Sequence, residues 1–201
     1  MDQSSIVSTI YLLRHAAYEN PNHIFHARLP GFPLSEKGHL QAKNLSETMA
    51  HLPIAAVYAS PLTRTYQTAQ AIAAAHGLPV QTDNRLMDLV TPLQGKPLSY
   101  MESINWNFYR HDFIAQGGEP LRTVFNRMDS CIREKVALHP GQHIVFLSHG
   151  DGIMAIKIKY LGFPLRSRKL MYPYVPVACG FLIRMDDRGT VHSLTEYPQS
   201  A

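Results

Sequence analysis

The segment that decides the fold is "TIYLLRHA", residues 9–16, in which an apolar run ends abruptly in Arg14 and His15. A short apolar run without polar alternation is typical of a strand buried on both faces, as in a parallel sheet. Open α/β sheets bind their ligands beyond the carboxyl ends of such strands. The segment therefore predicts a central strand that carries a cation and an imidazole to a ligand site.

Two further apolar runs end in groups that suit the same site. "IAAVYAS" (54–60) is followed a turn later by Arg64, and "HIVFLS" (143–148) is followed directly by His149. The carboxyl ends of parallel strands meet at one edge of a sheet, so these groups are expected beside the end of the first strand. A single histidine after a strand is usually structural, but three such strand ends at one edge indicate function.

Helical patterns separate these strands. Ser60 and Pro61 predict the N-cap and first position of a helix that Gly77 closes. Apolar residues at helical spacing mark two other helices, one with Ala42, Leu45, Met49 and Leu52 and one with Leu121, Val124, Phe125, Met128 and Ile132. "GDGIMAIKIKYLG" (150–162) predicts another helix, and "ACGFLIRM" with "TVHSLTE" predicts a terminal hairpin. Strands that alternate with helices predict an α/β fold.

The composition is that of one globular domain. The 201 residues are 45% hydrophobic and 17% charged, and no repeat or linker divides them, so we predict a single domain over 1–201. No apolar run is long enough to cross a bilayer, and "MDQSSIVSTI" (1–10) lacks the features of a secretory leader. We therefore predict a cytoplasmic protein with no membrane partner. Cys131 and Cys179 fall in apolar patterns typical of free thiols in a reducing compartment.

The charge balance favours anionic ligands. The formal net charge is +4, but Lys and Arg are dispersed, and "RSRK" (166–169) is the only dense cluster. Nucleic-acid binding usually needs a continuous basic patch or stripe. We therefore predict a small anionic substrate and no nucleic acid as partner.

Residues 88–118 do not fit the alternation of strands and helices. They contain the only Trp, several other aromatic residues and no clean period. Long irregular segments within a compact domain are often lids or binding loops. We predict a lid or substrate-binding insertion here, with a packing segment of no direct function as the alternative.

Arg14 and Arg64 suit a phosphoryl group. Each guanidinium is planar and can donate two parallel hydrogen bonds to two oxygens of one phosphate. A helix that begins at Gly150 would add backbone N–H groups and the positive end of its dipole. Cations are disfavoured at helix N-termini, and placing both arginines there makes sense if an anion fills the space between them.

Two histidines at such a site support phosphoryl transfer. One imidazole can attack phosphorus while the other donates to the transferring oxygens, and a carboxyl with a raised pKa can protonate the leaving alkoxide. The sequence has no glycine-rich phosphate loop and no Asp-rich metal site. The histidine pairs 23/26 and 139/143 lack a recognisable third ligand. We therefore predict no metal and no cofactor, with arginines neutralising the transition-state charge.

Five motifs, taken in order, resemble those of the histidine phosphatase superfamily, the phosphoglycerate mutase-like proteins. They are "LLRHA" (12–16), "RLPGFPLSEKGHLQA" (28–42), "VYASPLTRTYQTAQAI" (57–72), "RLMDLVTPLQGK" (85–96) and "FLSHGDGI" (146–153). The resemblance runs from about residue 9 to 185. It implies a three-layer α/β/α sandwich with a mostly parallel central sheet.

The resemblance also implies a role for each matching position. His15 becomes the phosphorylated nucleophile and Asp88 the proton donor. The other implied site residues bind the phosphate or shape its pocket: Arg14, Asn20, Arg28, Arg64, Glu119, His149 and Gly150. Of these, Arg14, Arg64 and His149 are implied in catalysis as well as in binding.

Three positions depart from the family pattern. Ala16 stands where Gly is usual and Ala17 where Glu or Asp is common, and we expect these changes to narrow the pocket or alter the substrate. Asp88 stands where mutases have Glu, which is one methylene longer, so the acid must lie nearer the leaving oxygen. Glu102 and Asp112 are the alternative acids in the same region.

Together these features predict a metal-independent phosphomonoester hydrolase that acts through a phosphohistidine on a small phosphorylated metabolite. A phosphoglycerate-type phosphomutase and a non-catalytic phospholigand binder stay open as alternatives. Tyr18, His26, Trp106 and Tyr109 are expected to face the alcohol half of the substrate. The sequence does not decide whether the chain forms a homodimer.

Overall fold

Strands and helices alternate along the chain, as the sequence predicts. The computed structural model describes residues 6–165 and 172–198, and the "RSRK" cluster lies outside them. The strands are β1 (Val7–Arg14), β2 (Ile54–Ala59), β3 (Val80–Thr82), β4 (His143–Ser148), β5 (Gly180–Asp186) and β6 (Val191–Tyr197). The helices are α1 (Glu36–Met49), α2 (Thr63–Ala75), α3 (Leu98–Ser103), α4 (His111–Ala115), α5 (Leu121–Leu138) and α6 (Gly150–Tyr160), with a short 3-10 turn at Asn84–Leu86.

The six strands form one sheet in the order β3-β2-β4-β1-β5-β6. The first four are parallel, and β5 and β6 add the predicted antiparallel hairpin at the β1 edge. In the register of β1 with β4, Arg14 lies opposite Ser148, so His15 and His149 follow neighbouring strand ends. The predicted α/β fold with a mostly parallel central sheet is confirmed.

Both faces of the sheet are covered, which explains the apolar run in β1. Ile10 and Leu12 pack into a core cluster that includes residues of α5 and α6, whereas Tyr11 and Leu13 pack into a second cluster with residues of α1 and α2. All four of these side chains are at most 2% exposed. The result is the three-layer arrangement of helices, sheet and helices. In the described part of the chain, no helix is both long and apolar enough to span a bilayer.

Three local predictions differ from the structure. The helix after β2 begins at Thr63, and Leu62 rather than Ser60 is its N-cap, without a side-chain hydrogen bond. Ser60 lies two residues before this N-cap, where its hydroxyl accepts from the N–H of Leu62 over 3.4 Å and lies 2.9 Å from Nε2 of His149. Leu52 lies beyond the end of α1, and Cys179 lies one residue before β5, so neither belongs to the regular element predicted for it.

Gly180 allows β5 to approach β1 closely near the carboxyl end of that strand. A Cβ at this position would overlap the carbonyl oxygen of Leu12, which the β-ladder holds in place. We expect Gly180→Ala to lower the free energy of unfolding by about 1–3 kcal/mol, because the strand must move to relieve the overlap. Urea unfolding would measure this. Ser193→Ala, at an exposed position on β6, is the control, and equal stability of the two variants would contradict the close approach.

Candidate active site

Polar side chains from four chain segments meet at the carboxyl edge of the sheet, beside a cavity of about 430 Å³. Arg14, His15, Asp88 and Gly150 line this cavity. Two further predicted residues, Arg64 and His149, contact residues that line it. Arg64 places Nη2 3.3 Å from Oδ2 of Asp88, and the imidazole of His149 lies 5.3 Å from that of His15, measured between ring centroids.

Within residues 6–165 and 172–198, only one ring nitrogen of His15 has a hydrogen-bond partner. Its Nδ1 lies 2.8 Å from the carbonyl oxygen of Ala16. A carbonyl only accepts, so Nδ1 carries the proton and Nε2 keeps its lone pair. Burial lowers the pKa of His15 well below its usual value, and the positive charges of Arg64 and Arg14 lower it further. At neutral pH the site therefore holds a neutral imidazole whose Nε2 is a competent nucleophile.

His149 is fixed as the opposite tautomer. Nη2 of Arg64 donates to Nδ1 of His149 over 3.1 Å, so Nε2 carries the proton and lies within 2.9 Å of the hydroxyl of Ser60. Burial, followed by the charge of Arg64, lowers the pKa of His149 well below its usual value. The ring is therefore neutral, and hydrogen bonds at both nitrogens set its orientation beside His15.

The two arginines have donors to spare. Nη1 of Arg14 donates to the carbonyl of Val175, and Nη2 of Arg64 donates to the carbonyl of Ala27. The Nε atoms of both arginines are buried, and neither has a hydrogen-bond partner among the described residues. Buried polar groups are nearly always paired, so two orphaned guanidinium donors at one site indicate an anion with several oxygens.

Asp88 has the environment of a general acid. Its side chain is 12% exposed, its Oδ1 accepts from the backbone N–H of Leu89, and its Oδ2 contacts Arg64. Burial raises the pKa of Asp88 above its ordinary value, and the positive charge of Arg64 opposes part of that rise. A carboxyl with a raised pKa that lines the cavity can hold a proton for a leaving group.

Arg28 and Glu119 lie behind Asp88 rather than in the cavity. The Nε of Arg28 donates to the carbonyl of Asp88 over 2.6 Å, and its Nη2 contacts the Glu119 carboxylate. Glu119 in turn forms an ion pair with Arg127. The guanidinium of Arg127 donates to three backbone carbonyls of the same loop, those of Arg85, Met87 and Asp88. These charges hold the backbone of the acid-bearing loop. Arg127 was not predicted, because no local spacing distinguishes it from a solvated helix residue.

Asn20 and Ala16 differ from their predicted placement. Both amide atoms of Asn20 bond to the backbone of Ile24, and Asn20 does not line the cavity. The prediction that Ala16 narrows the pocket is wrong, because this fully buried residue packs with Leu34 and Ala42. Ala17 also lies outside the lining, where its N–H donates to the side chain of Gln41.

The alternative acids do not reach the cavity. Glu102 is exposed on α3. Asp112 lies 2.7 Å from Arg110 in an ion pair that is about half exposed. Neither lines the cavity, so Asp88 is the one of the three predicted acids that the fold brings to the site.

Aromatic and aliphatic side chains surround the other end of the cavity. The wall includes all four residues expected to face the alcohol half of a substrate, Tyr18, His26, Trp106 and Tyr109. It also contains Phe25, Leu89, Leu98, Phe108, Tyr172 and Tyr174, which were not predicted. The segment 88–118 supplies half of these ten residues, so it forms one side of the binding cavity.

Asp151 is a second carboxyl in the cavity wall, and sequence reasoning missed it. It follows Gly150 in the first turn of α6 and is 5% exposed. Tyr109 and Tyr174 donate to its two oxygens over 2.7 and 2.6 Å. Gly150 leaves room for this arrangement, since a Cβ there would overlap the hydroxyl of Tyr174. An acidic residue in the first turn of a helix is common for dipole reasons alone, so it carried no signal.

The comparison with protein families agrees with this geometry. The model described as histidine phosphatase superfamily, branch 1, matches residues 10–195. The chain belongs to this superfamily. Among the described residues, no three His, Cys, Asp or Glu side chains are grouped so that they could hold a metal ion.

Individual relatives show the range of this superfamily. Phosphoserine phosphatase 1 of Hydrogenobacter thermophilus is 34% identical over 164 residues, which cover 78% of this chain and 77% of the relative. An uncharacterised protein of Mycobacterium tuberculosis is 31% identical over 158 residues, or 76% and 78% of the two chains. The structure of YhfR from Bacillus stearothermophilus matches with a TM-score of 0.83 and 24% identity, over 96% and 98% of the two chains. Together with the likeness to a phosphoglycerate mutase from Bacillus anthracis, at a TM-score of 0.75 and 20% identity over 95% and 93% of the two chains, it confirms the phosphoglycerate mutase-like fold.

His26 makes the folded protein sensitive to acid. Burial, followed by the charges of Arg64 and Arg14, lowers the pKa of His26 to about 3. Below its ordinary pKa the unfolded chain binds a proton that the folded chain does not, so stability falls as the pH drops below about 6.5. His15 and His149 act in the same direction, while the raised pKa values of Asp88 and Asp151 act against it.

A substitution at His26 measures how much this residue contributes to the pH dependence of stability. We expect His26→Gln to reduce the loss of unfolding free energy between pH 7 and pH 5 by about 2 kcal/mol, from 1.36 kcal/mol per pKa unit. Denaturant unfolding at both pH values would measure the difference. His51→Gln, at an exposed position, should leave it unchanged. The same pH sensitivity in His26→Gln and wild type would contradict a neutral His26.

Proposed function

We propose that the protein is a metal-independent phosphomonoester hydrolase that acts through a phosphohistidine at His15. The observation that carries this proposal is the free Nε2 lone pair of a neutral imidazole, placed among two arginines with orphaned Nε donors. Asp88 adds an acid with a raised pKa on the same cavity. These groups supply a nucleophile, charge neutralisation and a proton source, which are the requirements of phosphoryl transfer.

In the first half-reaction the phosphoryl group moves to the protein. Nε2 of His15 attacks phosphorus while the ester P–O bond breaks, and the leaving alkoxide takes the proton of Asp88. The imidazole becomes a positively charged phosphohistidine, and the carbonyl of Ala16 stabilises it by accepting from Nδ1–H. Arg14 and Arg64 donate to the equatorial oxygens, which carry the transition-state charge.

In the second half-reaction water releases the phosphate. The Asp88 carboxylate removes a proton from a water molecule as that water attacks phosphorus, and the P–N bond breaks. His15 returns to its neutral form with Nε2 free, and Asp88 is protonated again. One carboxyl therefore serves as acid and then as base, so its pKa has to lie between the values ideal for each role, consistent with the opposing effects of burial and Arg64.

The cavity supports hydrolysis over the two alternatives. A phosphoglycerate-type mutase must bind a carboxylate as well as a phosphate, yet Arg14 is the only Lys or Arg among the described lining residues. A non-catalytic phospholigand binder needs no free nucleophile and no acid. The relative named phosphoserine phosphatase 1 also favours a phosphatase for this chain. We propose a small phosphorylated metabolite as substrate and, since neither cysteine forms a disulfide, the cytoplasm as compartment.

Turnover of a chromogenic aryl phosphate in the presence of EDTA tests the proposed hydrolase. We expect activity in the wild type and a loss of at least about 10³-fold in His15→Ala, because removing a covalent nucleophile leaves only binding and electrostatic effects. Alkaline quenching followed by mass spectrometry should find phosphate on the wild-type chain and none on the variant. A wild type that is inactive, or active only with added metal, would overturn the proposal.

The leaving group tests the role of Asp88. An aryl oxide leaves without a proton, whereas an alkoxide needs one, so Asp88→Asn should lose about 10²–10⁴-fold more activity on an alkyl phosphate than on an aryl phosphate. The measurement is kcat/KM on both esters at neutral pH. Asp112→Asn removes a carboxylate outside the cavity and should behave like the wild type. Equal losses on the two esters would assign Asp88 to binding rather than to proton transfer.

A further inference from the structure

Asp151 places a buried carboxylate where the alcohol half of the substrate must lie. It lines the same cavity as His15 and is 5% exposed. The mechanism above does not use it, since it carries neither the nucleophile nor the leaving-group proton. Each of its oxygens already accepts one phenol hydrogen bond, from Tyr109 and from Tyr174.

Both oxygens of Asp151 accept a hydrogen bond, which is the pattern of a carboxylate, since an ionised carboxyl group only accepts. Burial raises the pKa of Asp151, and the hydrogen bonds from Tyr174 and Tyr109 and the charge of Arg14 oppose part of that rise. The phenols stay protonated donors, because burial beside Asp151 raises the pKa values of Tyr109 and Tyr174 well above normal. The geometry therefore places a carboxylate that accepts from two neutral phenols in the cavity wall.

Nothing in the described wall would neutralise a second negative charge on the substrate. Arg14 is the only Lys or Arg among the described lining residues, and it stands next to His15 at the proposed phosphate site. His26 is neutral because its pKa is lowered to about 3. Two like charges within one cavity repel, so a carboxylate on the alcohol half meets an electrostatic barrier.

The rest of the wall suits a ring. Phe25 and Phe108 stack with their centroids 4.7 Å apart, and Trp106 stands nearly perpendicular to both at 6.4 and 6.0 Å. Aromatic side chains in such a cluster offer faces and edges to a further ring. An apolar or aromatic alcohol would bury its surface here without losing a hydrogen bond.

We propose that Asp151 is a specificity-determining residue that excludes anionic alcohols, so that the substrate is a phosphomonoester of an uncharged, ring-bearing alcohol. This inference rests on the proposed function, because it assumes that the phosphate lies between His15 and the two arginines. Asp151 acts by its charge on the substrate and at the same time positions Tyr109 and Tyr174. The two effects are separable, since asparagine keeps an acceptor for a phenol but removes the charge.

A matched pair of esters tests the charge effect. 4-Carboxyphenyl phosphate and 4-carbamoylphenyl phosphate have the same ring and nearly the same shape, but only the first carries a carboxylate. We expect the wild type to prefer the carbamoyl ester by about tenfold or more in kcat/KM. Asp151→Asn should reduce this preference by about tenfold, mainly through a lower KM for the carboxyl ester. Asp112→Asn, with the same charge change outside the cavity, should keep the wild-type preference.

Each outcome bears on one proposal. Equal hydrolysis of the two esters by the wild type would overturn the specificity inference alone, and this measurement needs no variant to fold. A wild-type preference that persists in Asp151→Asn, with both esters slowed to the same extent, would show a merely structural role and overturn the assignment to Asp151. Hydrolysis of neither ester by the wild type would overturn the proposed function and this inference with it.

Discussion

The site depends on one cation held out of water. The side chain of Arg64 is 1% exposed, and a buried guanidinium is tolerated only when acceptors surround it. Its Nη2 lies within 3.3 Å of the Ala27 carbonyl, the Asp88 carboxylate and Nδ1 of His149. Ala27 takes a φ of +38° in the loop that presents this carbonyl. Arg64 therefore sets the tautomer of one catalytic group and the proton affinity of another.

The strand-end residues of the site could be predicted because their placement follows from topology alone. Parallel strands bring their carboxyl ends together, so Arg14, His15 and His149 converge without any knowledge of side-chain packing. The resemblance to a family supplied Asp88, which no strand end carries. Only the register of β1 with β4, which pairs Arg14 with Ser148, sets how closely the histidines approach.

What could not be predicted depends on contacts between segments distant in sequence. Arg127 reaches carbonyls about forty residues away, and Asp151 joins Tyr109 to Tyr174 across three separate loops and helices. No spacing rule connects such positions. The direction of the Ala16 methyl was likewise set by the packing of α1 against the strand end, so a comparison of residue types alone gave the wrong result.

Gly150 links the two ends of the cavity in a way that restricts how the protein can change. Its backbone starts the helix at the phosphate site, and its missing side chain makes room for the hydroxyl of Tyr174 at the alcohol site. A side chain at position 150 is therefore compatible only with a residue shorter than tyrosine at position 174, or with a displaced loop. Substitutions at positions 150 and 174 therefore depend on each other. The turn at the phosphate site in this way limits which side chains can line the alcohol end of the cavity.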